Sequence, residues 1–113
     1  MDTLDKLALK QAIIQVLHDY VEFLSNDDES ELQLVIDENQ DHYLLVETGW
    51  QKNRRIYGTL IHFDIINSKI WIQHDGTEVG VANELVSLGI LREQIVLAYK
   101  TLARRKITDF AVF

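Results

Sequence analysis

Asn67-Ser68-Lys69-Ile70-Trp71-Ile72-Gln73-His74-Asp75-Gly76-Thr77-Glu78-Val79-Gly80-Val81-Ala82-Asn83-Glu84-Leu85-Val86-Ser87-Leu88-Gly89-Ile90 reads as turn, strand, polar junction, helix and glycine stop without a spare residue. Asn67-Ser68 separates two β-type runs and predicts a two-residue hairpin turn. Lys69–Asp75 alternates, with Ile70, Ile72 and His74 on one face and Trp71, Gln73 and Asp75 on the other. Thr77 is placed to cap a helix over 78–88, with Glu78 in its first turn near the positive end of the dipole. Val81, Ala82, Leu85, Val86 and Leu88 form its apolar stripe. Leu88-Gly89-Ile90 fits a C-cap in which glycine turns left-handed and the next apolar residue folds back.

Outward from this segment, the chain reads as a single 1–113 α+β domain. Leu7, Ile14, Leu17, Val21 and Leu24 recur at helical spacing, widened by Ile13 and Tyr20, and predict a helix over Thr3–Leu24 capped by Asp2 or Thr3. Ser25–Ser30 is a polar connector. Leu32, Leu34 and Ile36 alternate in a first strand, Asn39-Gln40-Asp41 turns the chain, and His42–Gln51 is a second strand with Gly49 marking a bulge or close approach. Lys52-Asn53 turns again, and Arg54–Ile66 is long enough to require a bend near Gly58. Short connections between successive strands imply a four-stranded antiparallel meander covered on one face by the two helices. Ile95, Val96, Leu97 and Tyr99 form a short helix or strand, and the apolar residues 110–113 are expected to pack. Leu17, Val21, Leu34, Ile70, Ile72, Leu85 and Val86 are the predicted core.

Composition narrows the chemistry. The chain has no cysteine, which removes disulfides, thiolate metal sites and thiol nucleophiles. With no basic leader and no apolar run of about 20 residues, a cytoplasmic location is expected and a membrane span is not. The net charge is −7 and unevenly spread. Residues 1–50 hold 12 acids and 2 bases, whereas residues 91–113 hold 2 acids and 5 bases. This points to contact between an acidic front and a basic tail, within one chain or between two. A field this negative repels phosphate backbones, so direct DNA binding is disfavoured, and the acidic face of the first helix disfavours a lipid surface.

No phosphate-binding loop, nucleophile elbow or metalloprotease motif is present, and no cofactor is implied. In the hairpin register set by Asn67-Ser68, His62 opposes Gln73 and His74 opposes Ile61. The two histidines then point to opposite faces, a poor geometry for chelating a metal. His74, Asp75, Thr77 and Glu78 form a polar cluster at the strand–helix junction, where an enzyme using Asp75, Glu78 and His74 for acid–base chemistry is the alternative reading. Asp75 is more simply the residue that turns the chain. A basic patch of Arg54, Arg55, Arg104, Arg105 and Lys106 would gather if the tail folded onto the second hairpin tip. Tyr57, Trp71 and Tyr99 could then stack bases, although salt bridges to the acidic front are the simpler use for these cations. A meander leaves edge strands, and residues 32–37 form one suited to pairing with another chain, a second copy of this one included.

The run from Lys69 to Ile90 resembles the hallmark of the XisI-like family, the fdxN element excision controlling factors. Leu17-His18-Asp19-Tyr20, Arg55-Ile56-Tyr57-Gly58, Glu93-Gln94-Ile95-Val96-Leu97 and Thr108-Asp109-Phe110-Ala111-Val112 resemble it too, in order and over nearly the whole chain. Two places depart from the family pattern. Prolines common after the Gly-Ile stop and in a later Gly-Phe-His-x-Pro pattern are replaced by Leu91 and by Ala98-Tyr99-Lys100-Thr101-Leu102, so no histidine stands there. The resemblance implies an accessory, non-enzymatic role in programmed DNA excision in cyanobacteria, beside a recombinase. It also implies pairing with an XisH-like partner of nuclease fold.

Overall fold

Two tight turns set the sheet. Asn67 and Ser68 take φ of 50° and 61°, the left-handed pair that a two-residue hairpin of matching twist requires. Lys52 takes φ of 57° in the preceding turn. The computed structural model describes residues 3–24 and 30–113. Its elements are α1 (Lys6–Leu24), β1 (Ser30–Asp37), β2 (His42–Gln51), β3 (Arg54–Ile66), β4 (Lys69–Asp75), α2 (Val81–Ser87), β5 (Ile95–Leu97) and α3 (Leu102–Arg105).

Among the described residues, the sheet has five strands in sequential order, not four. The first four form the expected antiparallel meander, and β5 adds in parallel to β4, with Ile70, Trp71 and Ile72 opposite Ile95, Val96 and Leu97. The chain leaves β4, crosses through α2 and returns to the same edge, which makes the pairing parallel. Periodicity could not separate strand from helix for Ile95–Leu97, because all three residues are buried, as a strand covered on both faces requires.

One face of the sheet packs on α1 and α2. Leu9, Ile13, Val16 and Leu17 meet Tyr43, Leu45, Ile61, Phe63, Ile65, Ile70 and Ile72, with Val81 and Leu85 from α2. Of the predicted core, Leu17, Ile70, Ile72 and Leu85 are fully buried, while Val21, Leu34 and Val86 are half-buried at its margin. Leu7, placed on the stripe by spacing, is exposed. The buried face turns instead on Leu9, Ala12, Ile13 and Val16.

Several boundaries differ from expectation. α1 begins at Lys6 because Asp5 is its cap, accepting from the Ala8 amide at 2.9 Å. Asp2 lies outside the described residues, and so do 25–29 of the connector. Ser30 belongs to β1, opposite Gly49. The ladder is regular at Gly49. The irregularity anticipated there or near Gly58 falls instead at Leu60, and a second at Gln73.

The closing segment lies across the β5 edge and the outer face of β4. The Ala111 amide donates to Ile95 O at 2.9 Å, and Phe110 packs against the core, whereas Phe113 is exposed. Gln94 is fully buried and joins three parts of the chain. Its Oε1 accepts from the Leu4 amide at 2.8 Å, and its Nε2 donates to Leu4 O at 3.0 Å and Ser68 O at 2.8 Å. Gln94→Ala strands those groups and is expected to cost roughly 2–3 kcal/mol. Exposed Glu93→Ala should change urea-unfolding stability by less than about 0.5 kcal/mol.

Candidate functional site

Asp75 ends β4 on the core side of the sheet, and its carboxylate is fully engaged. Oδ1 accepts from the Thr77 amide at 2.9 Å and the Thr77 hydroxyl at 2.6 Å, and Oδ2 accepts from the Val81 amide at 3.0 Å. The turn role expected of Asp75 is therefore present, and Asp75 also holds the first amide of α2. Thr77 is not the helix cap. Gly80 holds that position with φ of 93°, so α2 starts at Val81, and the Thr77 hydroxyl accepts from the Gly80 amide at 3.2 Å. Glu78 is exposed, outside the helix. The C-cap forms as expected: Gly89 has φ of 97° and its amide reaches Val86 O, and the Ile90 amide reaches Leu85 O. Gly76 lies so close to β3 that a Cβ there would stand 3.0 Å from Leu60 O.

A cleft of about 350 Å³ opens beside this junction, between Tyr20 and Phe23 of α1, Leu60 of β3 and Val79. At its rim the Tyr20 hydroxyl donates to Glu84 Oε1 at 3.1 Å. Burial pushes both groups above their ordinary ranges.

The basic residues do not gather. Arg54 and Arg55 sit on a protruding hairpin, where Arg55 lies over the Trp50 ring at 5.4 Å. β4 ends opposite Ile61, seven residues beyond Arg54 and so about 23 Å along the strand. The tail lies on the far side of β4. There Arg105 stacks on Trp71 at 5.6 Å and donates to the carbonyls of Leu97, Ala98, Lys100 and Val112. It clamps the tail instead of facing solvent, while Arg104 and Lys106 are exposed. The lysine ion pairs seen among the described residues, Lys6–Asp41 at 2.7 Å and Lys10–Glu38 at 2.6 Å, stay within the acidic half. Tyr57 and Tyr99 are exposed.

A different constellation forms on the sheet face turned away from the helices. Asp64 Oδ1 lies 2.6 Å from His42 Nδ1 and 2.8 Å from His62 Nε2, and Gln73 Nε2 donates to Asp64 Oδ2 at 3.2 Å. The histidine rings meet edge to face, with centroids 6.0 Å apart. Asp64 is only 7% exposed. The register shift at Leu60 places Asp64 opposite His42. The shift at Gln73 places His62 opposite His74, not Gln73, so the two histidines thought to point apart are cross-strand neighbours. The His62 ring nonetheless turns to Asp64. The hydrogen bond to Asp64 and the charge of that carboxylate raise the His42 pKa above 6.5.

The model of the XisI protein family matches residues 1–112. A XisI-like protein from Anabaena variabilis ATCC 29413 superposes with a TM-score of 0.83 at 37% identity, over 94% of this chain and 99% of that one. The fdxN element excision controlling factor XisI from the same organism superposes with a TM-score of 0.81 at 29% identity, over 95% and 97%. No curated protein matches the chain.

Asp75→Ala removes three acceptor contacts and is expected to cost roughly 1–3 kcal/mol in urea unfolding, with Glu78→Ala nearly neutral. Because His42 binds its proton more tightly in the folded state, its contribution is present below pH 6.5 and fades as pH rises through the folded value. The stability gap between wild type and His42→Gln, measured with chelator present, should therefore be larger at pH 5.5 than at pH 8.5.

Proposed function

The chain belongs to the XisI family, and from that premise we propose that it is a controlling factor in programmed DNA element excision, working by contact with another protein and without chemistry of its own. The fdxN excision controlling factor among its structural relatives supports the first part. The second rests on one observation, the free edge of β1. The opposite edge of the sheet, β5, is three residues long and is bridged by Ala111. β1 is eight residues long and, among the described residues, pairs on one side only, with β2. Its outer amides and carbonyls form a template for an added strand. Val35 and Ile36 are 44% and 41% exposed along it.

The charge of this edge selects the partner. Glu31, Asp37 and Glu38 line or flank β1, and Asp27, Asp28 and Glu29 precede it in the sequence. A strand with basic flanks is favoured, and a protein that itself handles DNA presents such a surface. An XisH-like partner of nuclease fold meets that description. Two copies of this chain, each at −7, repel one another, so the edge is better suited to a different partner than to a homodimer. The same charge argues against direct DNA contact, and the exposed Arg54, Arg55, Arg104 and Lys106 are too scattered to offset it.

Co-purification of the full chain with an XisH-like protein tests this reading. Val35→Lys with Ile36→Lys should abolish the complex while leaving the circular dichroism spectrum unchanged, and Arg54→Glu with Arg55→Glu should retain it. A complex that survives the β1 changes, or a tight gel shift by the protein alone at physiological salt, contradicts the proposal. Light scattering at micromolar concentration should show a monomer. A dimer dissolved by Val35→Lys would assign the edge to self-pairing instead.

A further inference from the structure

We propose that His42, His62 and Asp64 bind a divalent first-row transition ion, such as zinc, on the sheet face opposite the helices. The three donor atoms, His42 Nδ1, His62 Nε2 and Asp64 Oδ1, lie within 4.8 Å of one another. Backbone pairing fixes all three. His42 and Asp64 are directly opposed across β2 and β3, and His62 stands two residues before Asp64 on the same face of β3. These are interior strands of the sheet, so the frame is rigid.

The chemistry of the set selects the ion. Two imidazoles and one carboxylate suit zinc, iron, nickel or copper, and imidazole disfavours calcium and magnesium. Among the described residues, no lysine or arginine stands beside buried Asp64, and its polar partners are the two imidazoles and the Gln73 amide. A divalent ion would supply the compensating charge. Gln73 adds an independent indication. As the extra residue of the β3–β4 bulge it reaches Asp64 Oδ2 and leaves Oδ1 aimed at both rings, the orienting contact that metal-bound carboxylates use.

The separations of 2.6 and 2.8 Å are hydrogen-bond distances. Donors around a tetrahedral zinc stand roughly 3.3 Å apart, so the rings must swing outward by about half an ångström. The histidines, with side chains 42% and 28% exposed, are free to do so. Each neutral ring can carry its proton on the nitrogen turned away from the ion, and water would complete the coordination on the open side.

Titration of the dialysed, tag-free full chain with cobalt(II) alone, read by visible ligand-field absorption, tests the site, with zinc(II) as competitor. We expect saturable one-to-one binding that zinc displaces, together with a zinc-dependent rise in Tm. Gln73→Ala should weaken binding about 10–100-fold, and His42→Gln or His62→Gln should weaken it further. His18→Gln and His74→Gln should leave it unchanged. Absence of saturable binding, or binding that survives His42→Gln combined with His62→Gln in a protein of native circular dichroism, overturns the proposal.

Discussion

A one-residue mismatch between turn geometry and apolar spacing governs this sheet. The Lys52-Asn53 turn pairs Gln51 with Arg54, and continued regularly it would set odd-numbered residues of β2 against even-numbered residues of β3. The core, however, needs odd against odd: Tyr43 and Leu45 must share a face with Ile61, Phe63 and Ile65. Since a slip of one residue turns every side chain to the other face, the mismatch cannot be spread along the strand. The bulge at Leu60 absorbs it in one step. From there on Leu45 pairs with Ile61, Tyr43 with Phe63 and His42 with Asp64. The polar cluster on the outer face is thus a by-product of the same shift that closes the apolar core.

The second shift, at Gln73, does comparable work on β4. Ile70 and Ile72 already face the core in the register of the Asn67-Ser68 turn. The extra residue moves Asp75 opposite Ile61 and onto the core side, where its carboxylate reaches the start of α2. Gln73, the extra residue, stays on the outer face with Trp71 and reaches Asp64. One irregularity therefore anchors the crossover helix and orients the carboxylate at the centre of the candidate site.

What the sequence disclosed follows from which forces were local. The type of the Asn67-Ser68 turn, the glycine stop at Gly89, the alternation of Lys69–Ile72 and the turn role of Asp75 depend on neighbouring residues, and all were legible, whereas past the bulge at Gln73 the expected faces reverse, with His74 outward and Asp75 on the core side. The start of α2 was not, because Thr77 satisfies the capping pattern while the positive φ of Gly80 delays the helix by three residues. The parallel strand β5 was ambiguous because burial on both faces erases periodicity. His42 and Asp64 went unpaired because their meeting depends on a bulge. The signal was available in the odd-numbered apolar residues of β2 and β3, which are incompatible with an unbroken two-residue hairpin. Arg105 reads as a surface cation because spacing does not announce four backbone acceptors five to eight residues away on both sides of it.

The fold separates three surfaces: an apolar face under the helices, an outer face carrying His42, His62 and Asp64, and an acidic free edge along β1. The functional account rests on the last of these. Hydrogen exchange of the β1 amides, with and without an XisH-like protein, tests it most directly. The account predicts that alternate amides between Ser30 and Asp37, fast in the free chain, become protected in the complex. Protection appearing elsewhere while these amides stay fast would contradict it.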